Sequence, residues 1–111
     1  MESTSLSSLV LEELDAARKA ASGRSARTIH GGHDHALRET VIALLSGREL
    51  SEHESPGEAT LQVLSGRVRL TGGDDTWEGG PGGHVTIPDT RHALLALEDA
   101  VVLLTVVKPL S

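Results

Sequence analysis

The spacing of apolar residues changes once along this chain, near residue 36. Before that point Val10, Leu14, Ala17 and Ala21 recur at helical intervals. Ser7 or Ser8 can cap such a helix, Glu12 and Glu13 lie in its first half, Arg18 and Lys19 near its end, and Gly23 just beyond. That charge order suits the helix dipole and predicts one helix over residues 8–21. Residues 22–35 are polar and contain glycine, and read as a connector.

From residue 36 on the period shortens to two. RETVIALLS (38–46) is apolar and β-branched. TLQVLS (60–65) and RVRLT (67–71) alternate on either side of Gly66, with Val68 and Leu70 on one face and Arg67 and Arg69 on the other. GGDD (72–75) and GGPGG (79–83) read as turns around the short segment TWE. HVTIP (84–88) is a strand closed by proline; Leu94, Leu95 and Leu97 follow, then an acidic turn at Glu98-Asp99. AVVLLTVV (100–107) is apolar on both faces, so it must lie centrally in a sandwich or be covered by a second subunit. Many short strands between Gly, Pro and Asp turns predict an all-β antiparallel barrel or sandwich preceded by one α-helix. The chain divides into residues 1–35, helix and connector, and residues 36–111, the β-barrel.

Composition narrows the chemistry. The 111 residues suit one domain with a modest core, built without Phe or Tyr and with Trp77 as the single large aromatic. The missing aromatic platforms and a net charge of −6 argue against nucleic acid as a partner. The lack of cysteine excludes disulfides, thiol nucleophiles and Cys-based metal sites, and fits a cytoplasmic location. MESTSLSSLVLEEL has neither a basic start nor a long apolar run, so it is not read as a signal peptide. No stretch is long and apolar enough for a bilayer-spanning helix, so no membrane partner is expected. P-loop, dinucleotide-binding and G-x-S-x-G patterns are absent.

Two stretches carry candidate chemistry. GRELSEHESPGEATLQVLSG (47–66) resembles the first motif of the cupin family, G-x5-H-x-H-x3-E-x6-G, with Gly47, His53 and Gly66 at matching positions. GGHVTIPDTRH (82–92) resembles the second, G-x5-P-x-G-x2-H-x3-N, through Gly82, Pro88 and His92. The resemblance implies an antiparallel jelly-roll β-barrel, commonly a homodimer, with a site inside the barrel. In metal-binding cupins two histidines and a glutamate of the first motif and one histidine of the second hold Mn, Fe, Ni or Zn. Here the second histidine is Ser55, the glutamate is Ala59, the second-motif glycine is Thr90 and the asparagine is Ala96; Pro88 and His92 are one residue closer than the motif asks. His53 and His92 are thus the candidate ligands for a divalent transition metal. Protein metal sites usually supply three or more ligands, and neither an alanine nor a neutral serine hydroxyl makes up the number.

Other residues could complete such a site or bind a ligand. Gln62 is the nearest polar candidate, although strict alternation sends it outward if Ala59 faces in. Arg91, beside His92, could pair an anionic ligand. His30, His33 and His35 form the ligand-like run HGGHDH in a segment that reads as a solvated linker. Glu52, Glu54 and Glu58 read as a charged loop, His84 as a strand-end residue and Trp77 as packing. Three functions follow. One is a metal-dependent enzyme of dioxygenase, isomerase or lyase type. The second is a non-catalytic module for a small molecule, with the histidines as hydrogen-bonding groups. The third acts through its surfaces, beginning with a homodimer.

Overall fold

The computed structural model describes residues 1–53 and 57–109, with Glu52 and His53 described by their backbone alone. Among these, one helix, α1 (Leu6–Lys19), precedes nine strands. They are β1 (Arg24–His30), β2 (Leu37–Leu44), β3 (Glu49–His53), β4 (Glu58–Ser65) and β5 (Val68–Gly72), then β6 (Asp75–Gly79), β7 (His84–Thr86), β8 (His92–Ala96) and β9 (Ala100–Val107). A five-stranded sheet runs β1-β2-β9-β4-β7 and a four-stranded sheet β3-β8-β5-β6. All pairings are antiparallel, and the two sheets close on each other as a jelly-roll β-barrel.

Strand β9 explains the layering. It pairs with β2 on one side and β4 on the other. Val102 and Val106 belong to the barrel core with Ala59, Leu61, Val63, Val68, Leu70 and Leu94. Val101 and Leu103 belong to a second cluster with Val41 and Ala43 of β2 and Leu9, Leu14 and Ala17 of α1. The helix of the same chain therefore covers the second apolar face of β9 at Val101 and Leu103, while Val107 at the far end of that face stays exposed. No second subunit is needed there, which removes one reason to expect a dimer.

The helix starts earlier than its sequence pattern suggests. Its cap is Ser5 rather than Ser7 or Ser8: the Ser5 hydroxyl accepts from the Ser8 backbone N–H at 3.2 Å. The earlier start brings Leu6 onto the sheet beside Leu9, and the helix ends at Lys19 rather than at Ala21. Glu13 is buried on this apolar face, where its carboxylate meets the Arg27 guanidinium of β1 at 3.3 Å. Arg27 also reaches Glu12 at 3.2 Å, and the Ser25 hydroxyl donates to the Glu13 carbonyl at 2.7 Å. These contacts tie helix to strand.

Two strands differ from the sequence reading. Residues 24–30, expected within the connector, form β1, paired with β2 over nearly its whole length. Residues 49–53, expected as turn and polar loop, form β3, paired with β8. Both are edge strands, held mainly by backbone hydrogen bonds and half solvated, so little apolar alternation marks them in the sequence. The remaining elements lie where the alternation puts them. Arg69 faces outward and forms a cross-strand pair with Glu78 at 2.9 Å, while Val68 and Leu70 are buried. No helix among the described residues is long and apolar enough to cross a membrane.

Gly66 turns the chain between β4 and β5 with φ at 75°, in the left-handed region. A Cβ there would overlap the Asp99 carbonyl oxygen. Gly66→Ala is therefore expected to lower stability by about 2 kcal/mol or more, read from urea unfolding; an unchanged midpoint would show that this turn relaxes freely. Arg27→Ala leaves the buried Glu13 carboxylate without its cation. A loss of about 1–2 kcal/mol is expected, together with faster amide exchange in α1. Unchanged exchange would mean that the apolar face alone seats the helix.

Candidate functional site

The candidate residues gather where the chain passes between sheets at one end of the barrel. One crossing leads from His53 at the end of β3 to Glu58 at the start of β4, and another from Thr86 at the end of β7 to His92 at the start of β8. Register fixes what meets there. His53 lies across from His92, His92 across from Gly72, and Gly72 across from Asp75. These four residues thus form one row across the four-stranded sheet.

His92 is the buried member of the row, with 5% of its surface exposed. It alternates with Ala93 and Leu95 and shares its face with Leu94 and Ala96, both core residues, so it points into the barrel. Its Nδ1 lies 3.0 Å from the Thr90 carbonyl oxygen. A carbonyl can only accept, so Nδ1 carries a proton and donates, and in the neutral ring Nε2 holds the lone pair. The loop that holds the imidazole is itself fixed: Ile87 is buried, and its N–H donates to the Ala59 carbonyl at 2.9 Å. Pro88 lies over Gly72, its Cγ only 2.6 Å from where a Cβ would stand. The proline ring occupies the space that glycine leaves in the row.

Two clefts flank Pro88. One, of about 620 Å³, is lined by residues 57–60 of β4 and its approach and by 86–89. Ala59 is on its wall and on the inner face of β4. The other, of about 280 Å³, runs between β6 and β7 and is lined by Leu70, Gly72, Asp75, Thr76, Trp77, Val85, Thr86 and Pro88. His92 lines neither cleft.

The remaining candidates separate. Gln62 alternates outward from Leu61 and Val63, pairs with His84 and Leu103, and so lies on the outer face of the five-stranded sheet. The β4 register shift falls only after Val63, too late to turn Gln62 inward. Arg91 is exposed on the loop before His92. His30 and His35 meet edge to face with ring centroids 4.9 Å apart, beside Glu2 and near Ile29, which packs on the helix side of the sheet. His33 is exposed. The side chains of Glu52 and His53, and all of Glu54 and Ser55, lie outside the described residues. Two features escaped the sequence reading. The cleft at Trp77 comes from an edge-to-edge meeting of β6 and β7 that no local pattern encodes, and Asp75 reads locally as a turn residue.

The described side chains do not by themselves assemble a site for a divalent ion. Among the described residues no three His, Cys, Asp or Glu side chains come together as a metal-holding group. At the position of the family's glutamate stands a buried methyl group, Ala59. Of the two candidate ligands, His92 is the one whose side chain is among the described residues.

No protein-family model and no curated protein sequence matches the chain. Solved structures do. A conserved protein of unknown function from Streptococcus pyogenes shares 34% identity over 81% of this chain and 78% of its own, with a TM-score of 0.72. An RmlC-like cupin protein from Desulfovibrio desulfuricans shares 25% identity over 76% of this chain and 81% of its own, at a TM-score of 0.65. A cupin superfamily protein from Desulfitobacterium hafniense is 17% identical, covers 78% of each chain at a TM-score of 0.70, and speaks to the fold alone. Sheet order, the glycines of the two motifs and these likenesses agree, and the chain belongs to the cupin family.

Proposed function

We propose that this cupin binds a small polar molecule at the His53–His92 end of its barrel, without a resident metal ion and without catalysis. The observation that carries the reading is the buried His92 imidazole, aimed inward and held in one tautomer by the Thr90 carbonyl. A buried, oriented ring of this kind recognises a polar group by hydrogen bonding and costs little to reorganise. His53, whose backbone lies directly opposite His92 on the ladder, would supply the second polar group. Arg91, at the entrance to β8, would meet an anionic substituent of the ligand.

A second reading is a metal-dependent enzyme of dioxygenase, isomerase or lyase type. It rests on one feature: a carbonyl on Nδ1 is also how a metal-ligating histidine is commonly oriented, with Nε2 left for the ion. The missing carboxylate at Ala59 favours the first reading. A homodimer remains part of the proposal on a narrow basis. Leu37 and Val107 are cross-strand neighbours that stay 40% and 43% exposed, and a second copy would cover them.

Elemental analysis of untagged protein, purified without chelator, is expected to find far less than one Zn, Ni, Mn or Fe per chain. One ion per chain, lost in a His53→Ala, His92→Ala double variant, would establish the metal reading instead. His92→Ala is expected to cost about 1–3 kcal/mol of stability and to abolish thermal stabilisation by small organic acids, whereas Gln62→Ala leaves both unchanged. Equal stabilisation of wild type and the His92 variant would remove His92 from the site. In sedimentation velocity at micromolar concentration a dimer is expected, dissociated by Leu37→Glu; a wild-type monomer would end the association proposal.

A further inference from the structure

The cleft between β6 and β7 has a composition of its own. Its walls are Leu70, Val85, Pro88 and the indole of Trp77, and its volume of about 280 Å³ lies near the lower limit for a small-ligand site. The indole is seated deliberately. A Cβ on Gly79 would overlap its six-membered ring, and one on Gly83 would approach it to 3.3 Å. Two glycines from the ends of one turn thus clear a place for the ring, and Trp77 stays only half buried, at the cleft.

Beside this apolar wall stands an uncompensated charge. Asp75 shares the inner face of β6 with Trp77, two residues along the strand, and lines the same cleft. Asp75 is exposed, and among the described residues its carboxylate has no ion pair or side-chain hydrogen bond: the acidic partners of the ion pairs are Glu12, Glu13, Asp15, Glu78 and Asp99. The next outward-turned cation, Arg69, is occupied by Glu78 on the opposite face of the hairpin. Asp74 and Asp89 are exposed at either end of the same region, and the chain carries a net charge of −6. A carboxylate without a cationic partner and an indole lining one small cleft with apolar walls are the groups that accept an organic ammonium ion.

We propose that the Trp77–Asp75 cleft is a binding site for small organic cations of the quaternary-ammonium or alkylamine class. The methyl or methylene groups pack on Leu70, Val85, Pro88 and the indole, while the positive charge faces the Trp77 ring and the Asp75 carboxylate. Thr76 and Thr86 offer hydroxyls to a polar substituent at the rim. His92 does not line this cleft, although Gly72 stands between it and Asp75 in the same row of the sheet.

The chain provides its own reporter, since Trp77 is its only tryptophan and it has no tyrosine. Choline, titrated at constant ionic strength, is expected to change Trp77 fluorescence saturably. Asp75→Asn is expected to weaken that binding about tenfold with an unchanged melting temperature. The uncharged isostere 3,3-dimethyl-1-butanol is expected to bind at least about tenfold more weakly than choline. His92→Ala should leave the choline response intact, so failure at one site is told apart from failure at the other. No saturable response, equal binding of choline and its isostere, or unchanged affinity in Asp75→Asn would each overturn the proposal.

Discussion

The structure depends on the need to cover β9 on both faces. A strand that is apolar above and below cannot lie at a surface. Its inward residues, Val102 and Val106, complete the barrel core, and its outward residues, Val101 and Leu103, require a second layer. α1 is that layer. The helix is amphipathic because it lies between β9 and water, and it is anchored by a buried carboxylate because β1 offers an arginine at its border. The barrel end that holds His92 is shaped by the same sheet, since β9 places β4, and β4 through Ala59 holds Ile87 and the loop beyond it.

Elements with strong side-chain alternation were legible in the sequence, and elements held by their backbones were not. AVVLLTVV became β9 residue for residue, because burial on both faces demands that composition. RSARTIH and ELSEH became edge strands, and an edge strand needs only one ladder and no apolar face. The motif glycines were legible for a physical reason: Gly47, Gly66 and Gly82 all have positive φ, a geometry that few other residues adopt at low cost. The helix cap was off by two or three positions because Ser5, Ser7 and Ser8 are equivalent in sequence, and only packing against the sheet chooses among them.

The site was legible in part. Spacing singled out His53 and His92, and register sets them opposite each other across β3 and β8. The outward side of Gln62 followed from alternation once Ala59 was placed inside. What local pattern could not reveal was the relation between strands remote in sequence. Asp75 joins the row of His92 only through β5, and the indole of Trp77 has room only because glycines at both ends of the next turn leave it. Cupins host many chemistries on one frame, so which side chains fill these inner positions matters more than the frame itself.

The docking of α1 also bears on how the chain reaches this state. The helix comes first in sequence, yet its seat includes Val101 and Leu103 near the other end. That seat is complete only after β2 and β9, far apart along the chain, have paired. Until then Val41, Ala43 and the outer side of β9 face water together, and a ladder closed over such a span forms slowly. A closure over so long a span is expected to come late in assembly, and the interval before it is when the unfinished chain would be most open to clumping with its own kind.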